Sequence, residues 1–148
     1  MYGPETRRFF QTFARFHGKL LLKTRGRPAS LGWGQSALVL ETIGRKSGQL
    51  RAVPLLYMPD GNDFIVLGSN YGQEHPPAWW FNLQARPEAT VLWKGWTVPV
   101  RANVLEGPER EALIPAMREY NAQWRMYLTE VHRHLPIVRL ERTGFPSR

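Results

Sequence analysis

From Ser36 onward the chain is cut into short apolar, β-rich runs by turns mostly of hairpin length, and this limits the folds open to it more than any other feature. Runs at Ala37–Ile43, Leu50–Met58, Phe64–Ser69, Ala89–Lys94, Trp96–Leu105 and Ile137–Glu141 read as strands. The segments "PDGN" at 59–62 and "KGW" at 94–96 supply tight reversals between neighbours. Pro54 and Pro99 each remove a ladder donor, which predicts an edge position or a bulge at both. Two helical stretches interrupt the strands, Pro77–Ala85 and Pro108–His132. In the longer one Leu113, Met117, Tyr120, Trp124, Tyr127 and Val131 form one continuous face, with a bend expected at Pro115. Antiparallel strands with little βαβ alternation predict a mainly β, α+β fold: a small, partly open barrel decorated by helices rather than a doubly wound sheet.

Before the strands, residues 5–25 place Phe9, Phe13, Phe16 and Leu20 at helical spacing among basic positions, which predicts an amphipathic helix. "GRPASLGWGQ" then reads as a linker. At 148 residues the chain is one domain, with residues 1–34 as helix and linker and residues 35–148 as the barrel. The absence of cysteine removes thiol nucleophiles, thiolate metal sites and disulfides. No apolar run approaches the length of a membrane span, and the N-terminus lacks the order of a signal peptide, so a cytoplasmic protein is expected.

The net charge of +8 is unevenly placed. Residues 1–51 hold ten Lys and Arg against Glu5 and Glu41, whereas the remaining residues hold ten of each sign. A local excess points to a particular anionic partner: a nucleic acid backbone, an acidic membrane or a polyanionic small molecule.

Part of that excess lies in "ETIGRKSGQLRAVP" at 41–54. A turn bounded by Gly44 and Gly48 exposes backbone N–H groups, while Arg45, Lys46 and Arg51 add charge and Ser47 a donor. These residues describe a phosphate cradle or, as the plainer reading, a solvated basic hairpin. The early glycine of a nucleotide-binding P-loop is missing, which rejects that motif. "LGSN" at 67–70 ends an apolar strand where a flat ligand, or a simple bulge, accounts for Gly68 and Ser69. Trp79, Trp80 and Phe81 are consecutive, so a helix cannot bury all three on one face. Tyr120, Trp124 and Tyr127 read as a core face whose rim could offer a hydroxyl as proton donor. His17, His75, His132 and His134 form no metal pattern, and neither a serine-hydrolase elbow nor a paired-carboxylate site is present.

Taken together and in order, "GRKSG", the "PLLY" strand, "DG", "VLGSN" and "HPPAWWFNLQARP" resemble the deazaflavin-dependent nitroreductase and quinone reductase family, over roughly 38–141. The resemblance implies a split β-barrel of the FMN-binding, pyridoxamine-phosphate-oxidase-like type. It implies coenzyme F-420, an 8-hydroxy-5-deazaflavin with a phosphate and an oligoglutamate tail, with FMN as the second candidate and no metal. Carried over by position, Arg45, Lys46, Ser47 and Arg51 would hold phosphate and tail. The strand Arg51, Ala52, Val53, Pro54, Leu55 and Leu56 would run beside the coenzyme, and Leu67, Gly68, Ser69 and Asn70 would meet the ring edge. Ala78, Trp79 and Asn82 would close another side, and Trp124 and Tyr127, preceded by Tyr120 or Asn121, would line the substrate side. Asn70 and Trp124 depart from the lysine and tyrosine of some members, which bears on acceptor range and proton donor.

The expected activity is hydride transfer from the reduced coenzyme to a quinone, activated alkene or nitro-aromatic acceptor. Tyr127, a water held by Ser69, or Tyr120 would supply the proton. Two other classes remain at this point. One is a split-barrel module that binds flavin, haem or a lipid-like ligand without turnover. The other is a peripheral membrane protein at the inner face of the membrane, touching it through residues 6–25. The strands lack the basic and aromatic interleaving of a nucleic-acid surface. Homodimerisation is expected only by fold analogy.

Overall fold

A computed structural model describes residues 37–131 and 133–148. The helix expected over 5–25, the linker, the boundary at 34/35, His17 and His132 lie outside the described residues.

Among the described residues seven strands form one antiparallel sheet: β1 (Ala37–Ile43), β2 (Leu50–Leu56), β3 (Met58–Asp60), β4 (Asp63–Leu67), β5 (Glu88–Trp93), β6 (Trp96–Val104) and β7 (Ile137–Arg142). The spatial order is β2-β1-β5-β6-β7-β4-β3. Among the described residues three α-helices accompany the sheet: α1 (Ala78–Ala85), α2 (Gly107–Tyr120) and α3 (Ala122–Glu130). The run expected at Leu50–Met58 is two strands, because Tyr57 turns a corner between them. This is the closing device of the barrel. β2 and β3 are the two edges of the sheet yet are joined through one residue, so the sheet must curl until its edges meet. Tyr57 is buried at that corner; its hydroxyl accepts the Trp93 indole N–H at 2.6 Å, and its ring meets Phe64 edge-on at 5.3 Å.

The barrel interior is filled from alternate positions: Leu38 and Leu40 of β1, Val91 of β5, Val98 and Val100 of β6, Val138 and Leu140 of β7. A second cluster joins the outer side of β4 and β7 to the late helices, through Ile65, Leu67, Ile137, Met117, Trp124 and Tyr127. On the opposite face of β1 from Leu40, Glu41 is 6% exposed, and its Oε1 has no hydrogen-bond partner among the described residues. Burial pushes its carboxyl up to about 8.

Local chemistry explains the boundaries. Lys94 and Gly95, with φ of 49° and 81°, make the two-residue left-handed turn that a tight hairpin requires. Pro54 lies on edge strand β2, as expected. Pro99 instead lies within central strand β6. Its missing donor is harmless because it falls where β7 has ended at Arg142, and the Pro99 carbonyl accepts the Thr143 N–H at 3.0 Å. The long helix breaks at Asn121 rather than Pro115: the Asn121 side chain accepts the Trp124 N–H at 2.9 Å and so caps a new helix.

Candidate functional site

The β1–β2 turn is built to be rigid. The Gly44 N–H bonds the Gln49 carbonyl at 2.7 Å, the Gly48 N–H bonds the Gly44 carbonyl at 2.8 Å, and Gly48 takes a φ of 70°. A Cβ on Gly44 would lie 2.5 Å from Ser47 Oγ, so no other residue fits without displacing that hydroxyl. Ser47 Oγ accepts the Gln49 N–H at 3.2 Å and stands 3.5 Å from an Arg51 guanidinium nitrogen. Arg45, Lys46 and Arg51 are exposed, and none of the three has an ion-pair partner among the described residues.

Helix α1 is fastened to this turn. Pro77 precedes it in an extended conformation, and Pro87 after Arg86 stops it by forcing the preceding residue out of the helical region. Trp79, Asn82 and Leu83 face inward at helical spacing. Asn82 Oδ1 accepts the Arg45 backbone N–H at 3.0 Å, and its Nδ2 donates to Thr42 Oγ1 at 3.0 Å. The Arg45 guanidinium lies over the Phe81 ring at 4.4 Å, holding the cation beside the helix.

Two hollows open along β2. The first, of about 490 Å³, is walled by Thr42, Gly44, Arg45, Lys46, Ser47, Arg51, Ala52, Val53, Asn70, Pro77, Ala78, Trp79 and Asn82. The second, of about 140 Å³, is walled by Val53, Pro54, Leu55, Leu56, Leu67, Ser69, Asn70, Tyr71, Pro77, Trp79, Gln123, Trp124 and Tyr127. They share Val53, Asn70, Pro77 and Trp79, so one groove runs from three cations to an aromatic end.

Nearly all the residues named from sequence meet in this groove. Gly68 does not line it. The Gly68 N–H bonds the Pro136 carbonyl at 2.8 Å, and a Cβ there would press on the Pro136 ring at 3.1 Å, so it serves close packing of β4 against the approach to β7. Tyr120 also stands outside both walls, against Trp124 with ring centroids 6.0 Å apart. Burial, with Tyr57 nearby, raises its phenol above the ordinary value, which makes it a weaker acid. Tyr127 lines the second hollow, and its hydroxyl stands 3.4 Å from the Gln123 amide nitrogen.

Sequence reasoning missed Gln123, Tyr71 and Arg133. Gln123 was open to detection, one helical turn before Tyr127. Arg133 acts through backbone carbonyls distant in sequence: its Nε donates to the Gln73 carbonyl at 2.7 Å and its Nη2 to the Ser69 carbonyl at 2.8 Å.

The residues present suit a long anionic ligand with a flat ring: cations at one end, apolar and aromatic walls at the other. Among the described residues no three His, Cys, Asp or Glu side chains gather as a metal site, and no helix is long and apolar enough to cross a membrane.

Comparison with known proteins agrees with this geometry. The family model described as F-420H(2)-dependent quinone reductase matches residues 13–142. A Mycobacterium tuberculosis protein assigned as an F-420H(2)-dependent quinone reductase is 35% identical over 101 residues, 68% of this chain and 85% of its own. A second from that organism, an F-420H(2)-dependent quinone reductase, is 30% identical over 132 residues, 86% of this chain and 89% of its own. A solved F-420-H2 dependent reductase superposes with a TM-score of 0.64 at 30% identity, covering 71% of this chain and 93% of that one. A Listeria innocua protein assigned as a pyridoxamine 5'-phosphate oxidase shares the fold alone, with a TM-score of 0.51 at 12% identity over 73% of this chain and 84% of that one.

Proposed function

Because the chain belongs to the F-420H(2)-dependent quinone reductase family and is an oxidoreductase that uses coenzyme F-420, we propose that its two joined hollows are one active site. The first grips the coenzyme and the second receives the acceptor. The observation that carries this reading is the shared wall of Val53, Asn70, Pro77 and Trp79, which makes the cationic cradle and the aromatic hollow continuous.

In this reading Arg45, Lys46 and Arg51 attract phosphate and tail carboxylates, and Ser47 adds a hydroxyl. Asn82 holds the turn at a fixed height against α1 rather than spending its amide on ligand. Val53, Ala78 and Trp79 give the ring an apolar bed. When bound, the reduced deazaflavin supplies a hydride from its C5 carbon. What remains for the protein is to orient the acceptor, exclude water and supply a proton. Leu55, Leu56, Leu67 and Trp124 exclude water from the second hollow, while Ser69 and Tyr127 bring hydroxyls to it. A quinone is the acceptor class, with nitro-aromatics and activated alkenes as further acceptors.

Equilibrium titration with F-420 and FMN, followed by rapid mixing of the reduced, loaded protein with quinones and nitro-aromatics, tests the reading. Tighter binding of F-420 and reoxidation by a quinone are expected; preference for FMN would overturn it. Two further elements belong to the same proposal. Residues 1–34 are taken as a helix and linker of this single-domain chain that touches acidic membrane through residues 6–25, and vesicle sedimentation with and without residues 1–34 checks this. The barrel pairs as a homodimer, which sedimentation equilibrium checks.

A further inference from the structure

The turn between β4 and α1 has an uncommon backbone. Asn70, Tyr71 and Gly72 take φ values of 47°, 56° and 77°, three successive residues in the left-handed region. Glycine enters that region freely and asparagine tolerates it, but a tyrosine there is strained unless its surroundings hold it. The surroundings do. Arg133, from the connection between α3 and β7, joins the two ends of the turn through the carbonyls of Ser69 and Gln73. A Cβ on Gly72 would lie 3.5 Å from the Tyr127 ring, so the turn is seated against α3 as well. Yet the strained residue gains no burial in return: Tyr71 is 80% exposed, and it stands in the rim of the second hollow, whose wall also holds Trp79, Gln123 and Tyr127. Core packing therefore does not explain an aromatic side chain in this conformation.

We propose that Tyr71 is a specificity-determining residue for the electron acceptor, its ring stacking on a planar quinone in the second hollow, and that Arg133 is the positioning residue that keeps the turn in shape. The assignment rests on the reading of that hollow as the acceptor site. A fused bicyclic quinone offers an aromatic side chain more face than a single ring does, so Tyr71 selects for the larger acceptor.

The test uses the full chain loaded with oxidised F-420, so that binding is read without turnover. Menadione and benzoquinone are titrated against tryptophan fluorescence, for which Trp79 and Trp124 in the wall of the hollow are built-in reporters, and F-420 affinity is measured separately. Tyr71→Ala is expected to weaken menadione binding by about three- to tenfold, the reach of one aromatic stack, and benzoquinone binding by less. Tyr71→Phe keeps wild-type affinity, and F-420 affinity is unchanged in both. Tyr71→Gly removes ring and strain together, so it loses menadione affinity like Tyr71→Ala while unfolding no more readily than wild type. Arg133→Met reproduces the loss, adds nothing to Tyr71→Ala, and is rescued by free guanidinium. Menadione affinity unmoved in Tyr71→Ala, with F-420 still bound, overturns the assignment alone. Equal weakening of F-420 and menadione overturns it too, by making Tyr71 a coenzyme contact. A wild-type protein that binds no F-420 overturns the reading of the groove, and the assignment with it.

Discussion

Asn82 of α1 accepts the backbone N–H of Arg45 at 3.0 Å, so the helix that walls the apolar hollow also sets the position of the cationic turn. Because the same amide donates to Thr42, both ends of one buried side chain are committed to holding two elements together.

Asn82→Ala leaves the Arg45 N–H and the Thr42 hydroxyl without their partner. Loss of about 2 kcal/mol of stability is expected from the unsatisfied groups, measured by urea unfolding, together with weaker F-420 binding. Full stability in this variant would show that the clasp contributes nothing.

In the proposed site the three exposed cations are expected to act on affinity rather than folding. Neutralising Arg45, Lys46 or Arg51 to glutamine weakens F-420 binding by about tenfold each, while the unfolding midpoint stays near wild type. Added salt weakens wild-type binding more than that of the triple variant, because screened charges have less to lose when they are gone. Identical salt dependence in the two proteins would remove the cations from the site.

Tyr127 and a water held by Ser69 are the candidate proton donors at the second hollow, and Tyr127→Phe is the direct check. Turnover falls by about a hundredfold, the usual scale of general acid catalysis, with little change in the acceptor KM. Full turnover with an unaltered pH profile would transfer the role to a water held by Ser69, and Ser69→Ala would then show the loss.

Glu41 makes stability depend on pH. Its carboxyl ionises at about 8 in the folded chain, against a value of 4.5 for the exposed group. Between these values the native state keeps a proton that the unfolded chain has released, so stability falls as pH rises, by up to about 1.4 kcal/mol per unit. Below and above the window the contribution is level. Glu41→Gln removes the slope and is the more stable protein at alkaline pH; parallel unfolding profiles for the two proteins between about pH 5 and about pH 9 would contradict this.

Much of the molecule was legible from residue order. β1 runs from Ala37 to Ile43, the bounds its short β-rich run indicated, and the charged β1–β2 turn lies in one hollow with Ala78, Trp79 and Asn82, the residues the family resemblance set beside it. The failures have physical causes. Pro115 is conspicuous in sequence, but the surrounding turns carry the helix through it, whereas Asn121 ends it by offering a local acceptor that no periodicity reveals. Tyr57 looks like one more strand residue, and only closure of the sheet makes it a corner. Tyr71 and Arg133 are 62 positions apart in sequence, and their relationship passes through backbone carbonyls, which carry no residue-type signature.

The narrow wall common to the two hollows has an evolutionary consequence. Outside Val53, Asn70, Pro77 and Trp79, the first hollow draws on Thr42, the β1–β2 turn, the start of β2 at Arg51 and Ala52, and α1, while the second draws on Pro54, Leu55 and Leu56 further along β2, on Leu67, Ser69 and Tyr71, and on α3. Selection can therefore act on one end with little drag from the other. Paralogues descended from a chain like this would keep their coenzyme while their acceptors diverged, and their differences would gather in the turn at 70–72 and along α3.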